Sequence, residues 1–583
     1  MSRSERVVGK TAAKGQRGMV ASHNPQAAEA GAQVLADGGS AVDAITTMSF
    51  LTGVREVAMN SVGGVGVLLH HCASTGTTEE ISFYGRTPAA LAEDTFVPYL
   101  LPRESGSAAF GWRPVRDDVH ERGPLSVGVP GHVAGISALH TRHGSAPWAD
   151  LLAPAERLAR SGFDPDGEDT FHFGSEFNHV QRYDEMRRVF LSGGIPRPAG
   201  FYQGRTIPVV QPDLSDSIAA VAAGGADEFY NGELAARIAA GVQAEGGLLS
   251  ADDLARFRPD FGDGLRGSYR GYRVISSSGP NGGVTLLEML NLAENFDLAA
   301  LPRFSGQCLH LLAEIMRQAW TDRFVHVGDP DRTPVPLTGL IDKRYASDLA
   351  TELPKEHRGA WTTPGDPWTF DPARRPADRS VPAGDLAGKD TTHLLAADAD
   401  GNVVSLTQTL GLAFGSCFIP RGTGLNLYDV TMWMNPEPGT PNSVAPWVKQ
   451  VGHATPTLLL KDGKVVAALG APGGRRVVTA MFQTVINIVD FGMDVAEAIA
   501  APRLHCEGAA PSAPVGPTVA DVLVDDRVPA EALADLTRRG HLVRQCRETE
   551  TQSFLAKPLG VQYTDDGLIG GADVFRRSLA IGV

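Results

Sequence analysis

The sequence changes character at the bond between Asp390 and Thr391. Residues 355–390 carry prolines among Asp, Arg and Gly with little periodicity, which is typical of a long exposed connection. From Thr391 onward apolar and polar residues alternate, as expected for strands with one buried face. Cleavage at this bond would not remove a hydrophobic core from either part of the chain. Thr391 would then carry a free α-amino group beside its hydroxyl, which together can act as base and nucleophile.

Composition narrows the class of protein. The chain has 583 residues, a length that suits two domains or one large sandwich, and its net charge of −15 argues against nucleic acid or an anionic membrane surface as a partner. The five cysteines are scattered without a CxxC pair, which favours reduced thiols over disulfides or a zinc site. Because neither a signal peptide nor a long apolar run is evident, we expect a cytoplasmic protein without a membrane span.

The N-terminal part predicts helices followed by a glycine-rich turn. Apolar residues recur at helical spacing between Pro25 and Met48, interrupted at Gly38-Gly39, with Ser40 as a plausible N-cap. The glycine-rich turn at 63–66 leads into the apolar run 67–69. Since this turn precedes a strand, whereas a dinucleotide-binding loop opens a helix, the pattern argues against phosphate binding.

Short alternating strands dominate the C-terminal part. Asp462-Gly463 predicts the turn of a hairpin, and a helix is expected from Arg476 to Phe491. The expected strands are 393–397, 403–409, 457–460 and 465–469.

Two further features fit an attack by Thr391 on a carbonyl group. Thr407 and Thr409 alternate onto one strand face, from which a hydroxyl could hydrogen-bond to the nucleophile. Pro472-Gly473-Gly474 could turn two backbone amides towards one oxyanion, because neither glycine has a Cβ. Alone, a Thr-Thr-His triplet more often reflects ordinary strand propensity, and a Pro-Gly-Gly turn is more often only a turn. Their joint order and spacing are what favour the catalytic interpretation.

Motifs along nearly the whole chain resemble those of the γ-glutamyltransferase family, which belongs to the N-terminal nucleophile hydrolases. The matching segments are 18–22, 35–43, 63–66, 128–135 with Trp148, 328–330, 391–393, 414–415, 422–424 and 470–474. Their combined order makes the resemblance specific.

The resemblance implies a four-layer αββα sandwich of class α+β and a precursor that cleaves itself between Asp390 and Thr391. Residues 1–390 would form a large subunit and residues 391–583 a small one, paired as a heterodimer in one αββα unit. Thr409 would support the nucleophile, and the amides of Gly473 and Gly474 would form the oxyanion hole. No metal or organic cofactor is expected.

The positions that grip a γ-glutamyl head group in the family differ here. Tyr84 stands where the family has a carboxylate-binding arginine, with Arg86 two residues later. Gly452 and His453 replace a pair of serines. In the amine-binding region this chain offers Asp429, and Trp433 takes the usual acidic position. Two residues after the supporting threonine, where the family often has an asparagine, this chain has Gly411.

These replacements remove most partners of a zwitterionic head group, and an unpaired charge in a closed site weakens binding. We therefore predict an amidohydrolase or acylase that cleaves a small non-peptide amide, as in the cephalosporin acylase and oxamate amidohydrolase branches. One alternative is a γ-glutamyl hydrolase or transferase with a rearranged clamp that uses Arg86. The other is a non-catalytic binding protein. His453 is either a substrate hydrogen-bond donor or a packed core histidine.

Overall fold

The computed structural model describes residues 8–103, 112–200, 206–359, 363–373, 390–440, 442–507 and 522–583. Residues 360–362 and 374–389 of the predicted connection lie outside this set.

The strands, in chain order, are β1 Ala13–Gly15, β2 Gly18–Ser22, β3 Val65–Cys72, β4 Thr77–Ser82, β5 Leu191–Ser192, β6 Ile195–Pro196, β7 Asp260–Gly262, β8 Leu265–Tyr269, β9 Tyr272–Ser276, β10 Asp390–Asp398, β11 Val403–Gly411, β12 Thr457–Lys461, β13 Lys464–Gly470, β14 Leu504–His505, β15 Val522–Asp525, β16 Val543–Cys546, β17 Leu559–Thr564, β18 Gly567–Ala572 and β19 Leu579–Gly582.

The α-helices are α1 Pro25–Ala36, α2 Ala41–Arg55, α3 His132–His143, α4 Trp148–Ser161, α5 Gly167–Ser175, α6 Phe177–Val180, α7 Asp184–Phe190, α8 Pro212–Tyr230, α9 Glu233–Ala244, α10 Ala251–Arg256, α11 Gly283–Ala293, α12 Gly306–His326, α13 Leu337–Leu340, α14 Lys343–Glu352, α15 Arg476–Val489, α16 Val495–Ala500 and α17 Ala530–Arg538.

Two seven-stranded antiparallel sheets form the centre of the molecule. The first sheet has the order β19-β2-β10-β11-β3-β4-β7, and the second has the order β1-β18-β17-β13-β12-β9-β8. In each sheet, strands from before Asp390 flank strands from after it. The two parts of the chain are thus interleaved within both sheets.

The alternation along β10 shows how the layers stack. Leu394 and Ala396 are buried among helices α1, α2, α3, α4, α8 and α9. Leu395 and Ala397 point the other way, into a core shared with strands of the second sheet. The far face of that sheet packs on α11, α12, α14, α15, α16 and α17. The predicted αββα sandwich is therefore confirmed.

Local signals explain several element boundaries. Ser40 caps α2 through a reciprocal pair of hydrogen bonds with Asp43, as its position after the Gly-Gly break predicts. Asp462 and Gly463 both adopt positive φ, 51° and 81°, which a tight hairpin turn between β12 and β13 requires. The expected helix near residue 476 is α15, although it ends at Val489, slightly earlier than predicted. Across the described ranges, no helix combines the length and apolarity needed to span a membrane.

Candidate active site

Thr391 lies at the start of β10, a strand held on both sides by β2 and β11. The register between β10 and β11 shifts between Asp390 and Thr392, so the strand is irregular at the predicted cleavage point. Thr391 Oγ1 donates a hydrogen bond to Thr409 Oγ1 at 3.1 Å. The structure thus brings together the predicted nucleophile and its predicted support.

Thr409 is itself fixed. It is 2% exposed, and its Oγ1 accepts a second hydrogen bond from the Gly411 amide at 2.9 Å. Two residues earlier on the same face, Thr407 Oγ1 contacts His393 Nδ1 at 2.9 Å. Burial lowers the pKa of His393 to about 3, so the ring is neutral and stabilises the strand pair without carrying charge.

The glycine turn that was predicted to bind the oxyanion lies immediately before α15. Gly473 and Gly474 have φ values of 139° and 61°, conformations that favour glycine. Within the described residues neither amide donates to another residue of the chain. Gly473 and Thr391 line the same cavity. Because the N-terminus of a helix carries partial positive charge, this turn suits a developing oxyanion.

Two cavities meet at Thr391 and Pro472. The larger has a volume of about 480 Å³ and is lined by residues from the start of α1, the end of α2 and the region around α5. The smaller has a volume of about 360 Å³ and extends towards residues 551–554. A small amide substrate has room to reach Thr391 from either side.

Most charged groups in the larger cavity are paired with one another. Arg55 contacts Asp166 and Asp169, each at 2.8 Å. Glu168 accepts from Lys557 and from Arg576. This wall therefore offers a polar but largely neutralised surface.

Glu56 differs from those carboxylates. Its Oε2 is buried and accepts no hydrogen bond from the described residues. Burial raises the pKa of Glu56 to about 7, against smaller opposing effects of the Thr392 hydroxyl and of Arg55 and Lys557. His23 lines the same cavity, and burial together with nearby cations holds the pKa of its ring well below the usual value.

On the other side of Thr409, the predicted head-group positions are filled by this chain's own side chains. A methyl group added at Gly411 would lie 1.7 Å from Asp429 Oδ1 and 3.3 Å from Trp433 Nε1. Asp429 is fully buried and accepts from the Leu412 amide at 3.2 and 3.3 Å. The Asp429 carboxylate thus occupies the volume that an asparagine side chain at position 411 would need.

Three of the remaining predicted residues, Tyr84, Trp433 and His453, form an aromatic cluster together with Trp320, which the sequence did not single out. The His453 ring lies 5.5 Å from the Trp433 ring and 5.8 Å from the Trp320 ring, centroid to centroid. A methyl group at Gly452 would lie 3.3 Å from the Tyr84 hydroxyl. The absence of a side chain at Gly452 therefore makes room for Tyr84.

The cluster contains no free carboxylate-binding cation among the residues described. Burial, with Arg323 and Arg475 nearby, keeps the pKa of His453 well below its usual value, so its ring is neutral. Arg323 donates to backbone oxygens of Pro280, Asn281 and Gly452, and also to the Thr285 hydroxyl. Its guanidinium is committed to the fold.

Arg86 points elsewhere. Its guanidinium lies 3.4 Å from Asp331 and 3.7 Å from Asp260, over the ring of Trp447. The described residues that line the two Thr391 cavities do not include Arg86 or the aromatic cluster.

Several cavity residues escaped the sequence analysis: His23, Glu56, Glu168, Lys557 and Arg576. For Glu56 alone the sequence offered a signal, namely a charged residue between the apolar run of α2 and the glycine-rich turn. Among the residues that the structure describes, two side-chain groups could hold a metal ion, His70-Glu79-His143 and His310-Glu314-His541, but neither lines the Thr391 cavities.

Comparison with known proteins finds relatives along nearly the whole chain. The model of the family described as gamma-glutamyltranspeptidase matches residues 27–583. The Acylase ACY 1 proenzyme of Pseudomonas sp. (strain SE83) is 32% identical over 97% of this chain and 93% of its own length. The Glutathione hydrolase proenzyme of Escherichia coli (strain K12) is 31% identical over 84% of this chain and 81% of its own length.

Solved structures give the same fold. The cephalosporin acylase from Bacillus halodurans superimposes with a TM-score of 0.84 at 24% identity, covering 100% of this chain and 99% of its own. The gamma-glutamyltranspeptidase of Helicobacter pylori gives a TM-score of 0.54 at 28% identity, covering 62% of this chain and 97% of its own.

Proposed function

Since the chain belongs to the gamma-glutamyltranspeptidase family, whose characterised relatives here are amide-bond hydrolases, we propose that it is an autoprocessing N-terminal threonine amidohydrolase. Its substrate is a small non-peptide amide, hydrolysed through an acyl-enzyme on Thr391. Cleavage between Asp390 and Thr391 leaves residues 1–390 and 391–583 paired in the cytoplasm.

The reaction begins with the freed α-amine of Thr391, which takes the proton of its own hydroxyl as Oγ1 attacks the amide carbon. The hydrogen bond to Thr409 orients Oγ1 for this attack. The amides of Gly473 and Gly474 stabilise the oxyanion. The amine leaving group departs with the proton, and water then hydrolyses the ester on Oγ1.

The aromatic cluster supports the substrate assignment because Tyr84, Trp433 and His453 stand at the family's head-group positions, although the cluster does not line the two Thr391 cavities. It adjoins the nucleophile's support through Gly411 and Trp433, and its His453 ring is neutral while Arg323 is committed to the fold. An acyl group that brings a buried carboxylate or ammonium group here would leave that charge unpaired, at a cost of at least about 1–3 kcal/mol. An apolar acyl group avoids this cost.

Three anilides with one leaving group test the assignment: γ-glutamyl, glutaryl, which lacks the amino group, and butanoyl, which lacks both charged groups. We expect kcat/KM to rise in that order, by about tenfold for each charge removed, since about 1.4 kcal/mol corresponds to a factor of ten. The γ-glutamyl anilide as best substrate would instead favour the alternative function, a γ-glutamyl hydrolase or transferase.

That alternative has support from the Escherichia coli relative, which is nearly as similar as the acylase. A non-catalytic binding protein is the remaining alternative. Denaturing gel electrophoresis separates it from both enzymes, because a chain that stays as one 61.7 kDa band after prolonged incubation has no N-terminal threonine to react.

A further inference from the structure

Cleavage before Thr391 would create a positively charged α-amino group that the fold must stabilise. The new α-amino group carries a proton at neutral pH, since the usual pKa of such a group is near 8. Thr391 is only half-buried, but the next residue, Thr392, is fully buried. An ammonium group at this depth is unstable unless a carboxylate or several acceptors face it.

The uncut chain contains a carboxyl group with one buried oxygen that has no hydrogen-bond partner among the described residues. Glu56 lines the cavity that also contains Thr391, and its Oε2 is shielded from solvent without a hydrogen bond from the described residues. The Thr392 hydroxyl lies near this side chain and lowers the pKa of Glu56, and its oxygen is likewise buried without a hydrogen-bond partner at normal distance among the described residues. A native buried carboxyl in this condition calls for an explanation.

The Glu56 backbone is held rigidly. It caps the end of α2, and its carbonyl oxygen accepts from the Met59 and Asn60 amides at 2.8 and 2.9 Å. The same turn is bonded to the segment after Thr409, since the Met59 carbonyl accepts from the Leu410 amide at 3.2 Å. Glu56 is therefore fixed relative to the strand pair that holds the nucleophile.

We propose that Glu56 is the partner of the α-ammonium group that cleavage creates on Thr391, and so positions the catalytic base. This inference rests on the proposed function. The other cavity carboxylates are accounted for, because Asp166 and Asp169 pair with Arg55, Glu168 pairs with Lys557 and Arg576, and Asp164 is exposed.

A carboxylate next to the amine favours its protonated form, and removing the carboxylate lowers the amine pKa. The charged groups acting on Glu56 are Glu168, which raises its pKa, and Arg55 and Lys557, which lower it. His23, His172 and Asp169 line the same cavity. These groups remain in place when Glu56 alone is changed. The difference in amine pKa between wild type and variant therefore measures the effect of Glu56 alone.

The experiment compares wild type with Glu56→Gln, using Glu80→Gln as the matched control. Burial also raises the pKa of Glu80 to about 7, but its carboxylate accepts from the Ser278 amide and does not line the Thr391 cavities. The first readout is the pH dependence of reductive methylation at the Thr391 α-amine, followed by mass spectrometry of the N-terminal peptide of the small fragment. It requires no enzymatic activity.

We expect the amine to titrate about one pH unit lower in Glu56→Gln, and the acid limb of kcat/KM to move down equally. Glu80→Gln should leave both unchanged. An unchanged amine titration in cleaved Glu56→Gln overturns the proposal. If that variant does not cleave or fold, Glu56→Asp keeps the charge but withdraws the carboxylate by one methylene group, and an amine pKa equal to that of wild type in cleaved Glu56→Asp overturns the proposal instead.

The result that refutes the proposed function differs from the result that refutes the role of Glu56. A small fragment that begins at a residue other than Thr391 refutes the cleavage site itself, whatever Glu56 does. Cleavage at Thr391 with no effect of Glu56 on the amine refutes the present inference alone.

Discussion

Replacing Thr409 by valine tests the hydrogen bond on which the nucleophile depends. Valine keeps the branched shape but removes the oxygen that accepts from Thr391 Oγ1 at 3.1 Å and from the Gly411 amide at 2.9 Å. Losing a hydrogen bond of this kind costs about 0.5–1.5 kcal/mol, and a buried amide left without an acceptor costs about 1–3 kcal/mol. Both losses fall on atoms that fix the position of the Thr391 hydroxyl.

If about 1.4–2.8 kcal/mol of this loss appears in the transition state, precursor cleavage and substrate turnover both slow by about 10- to 100-fold. Thr407→Val is the matched control. It removes a hydroxyl two residues away on the same strand face, where the partner is His393 at 2.9 Å. The control should lower the free energy of unfolding by a similar 1–3 kcal/mol, yet change both rates less than about threefold.

The assays are a time course of cleavage on denaturing gels, the initial rate of anilide hydrolysis, and urea unfolding of both variants. The reasoning fails if Thr409→Val cleaves and turns over at the wild-type rate. It also fails if Thr407→Val slows both rates as much as Thr409→Val, because the effect would then follow from strand stability.

Three further predictions concern other parts of the site and its surroundings. Thr391→Ala should remain a single 61.7 kDa chain on a denaturing gel and hydrolyse no amide, whereas Thr391→Ser should be cut; activity in uncut Thr391→Ala would refute the mechanism. Gly473→Ala should fold but lose about 100-fold in kcat, because φ of 139° disfavours a side chain and the added methyl would meet Ala556 Cα at 2.8 Å; an unchanged kcat would remove this turn from the oxyanion hole. The folded-state pKa of Glu80, about 7, exceeds its usual 4.5, so the folded state binds the extra proton and stability falls as pH rises between these values. Relative to wild type, Glu80→Gln should therefore gain up to about 3 kcal/mol in urea unfolding between pH 5 and 8, and equal pH dependence of the two proteins would contradict the burial argument.

The sequence predicted best what depends on local pattern. Alternation after Thr391 gives β10 and β11, and Asp462-Gly463 gives the hairpin turn, because strand faces and turns are set by neighbouring residues. The same alternation predicted Thr407 and Thr409 as possible partners of Thr391, and only the family resemblance singled out Thr409, which the structure places 3.1 Å from Thr391 Oγ1.

The charged cavity was not predictable, because its residues converge from distant segments. Glu168 meets Lys557 and Arg576 across nearly 400 positions of the chain, and no local pattern marks such a contact. The Asp429 carboxylate fills the volume that a side chain at position 411 would need, and no local pattern marks this contact either. Arg86 is close in sequence to the family position, but its ion pairs with Asp260 and Asp331 depend on where those segments pack.

Because the two fragments are interleaved in both sheets, cutting the chain changes refolding from a first-order to a second-order reaction. Strands β10 and β11 lie between β2 and β3, so neither fragment can complete the first sheet alone. The uncut precursor unfolds and refolds as one molecule, and its midpoint is independent of protein concentration. After cleavage, refolding requires two chains to meet, and the apparent stability rises with concentration by mass action. After unfolding, the recovery of the cut protein therefore falls as the protein is diluted, whereas the recovery of the uncut precursor does not.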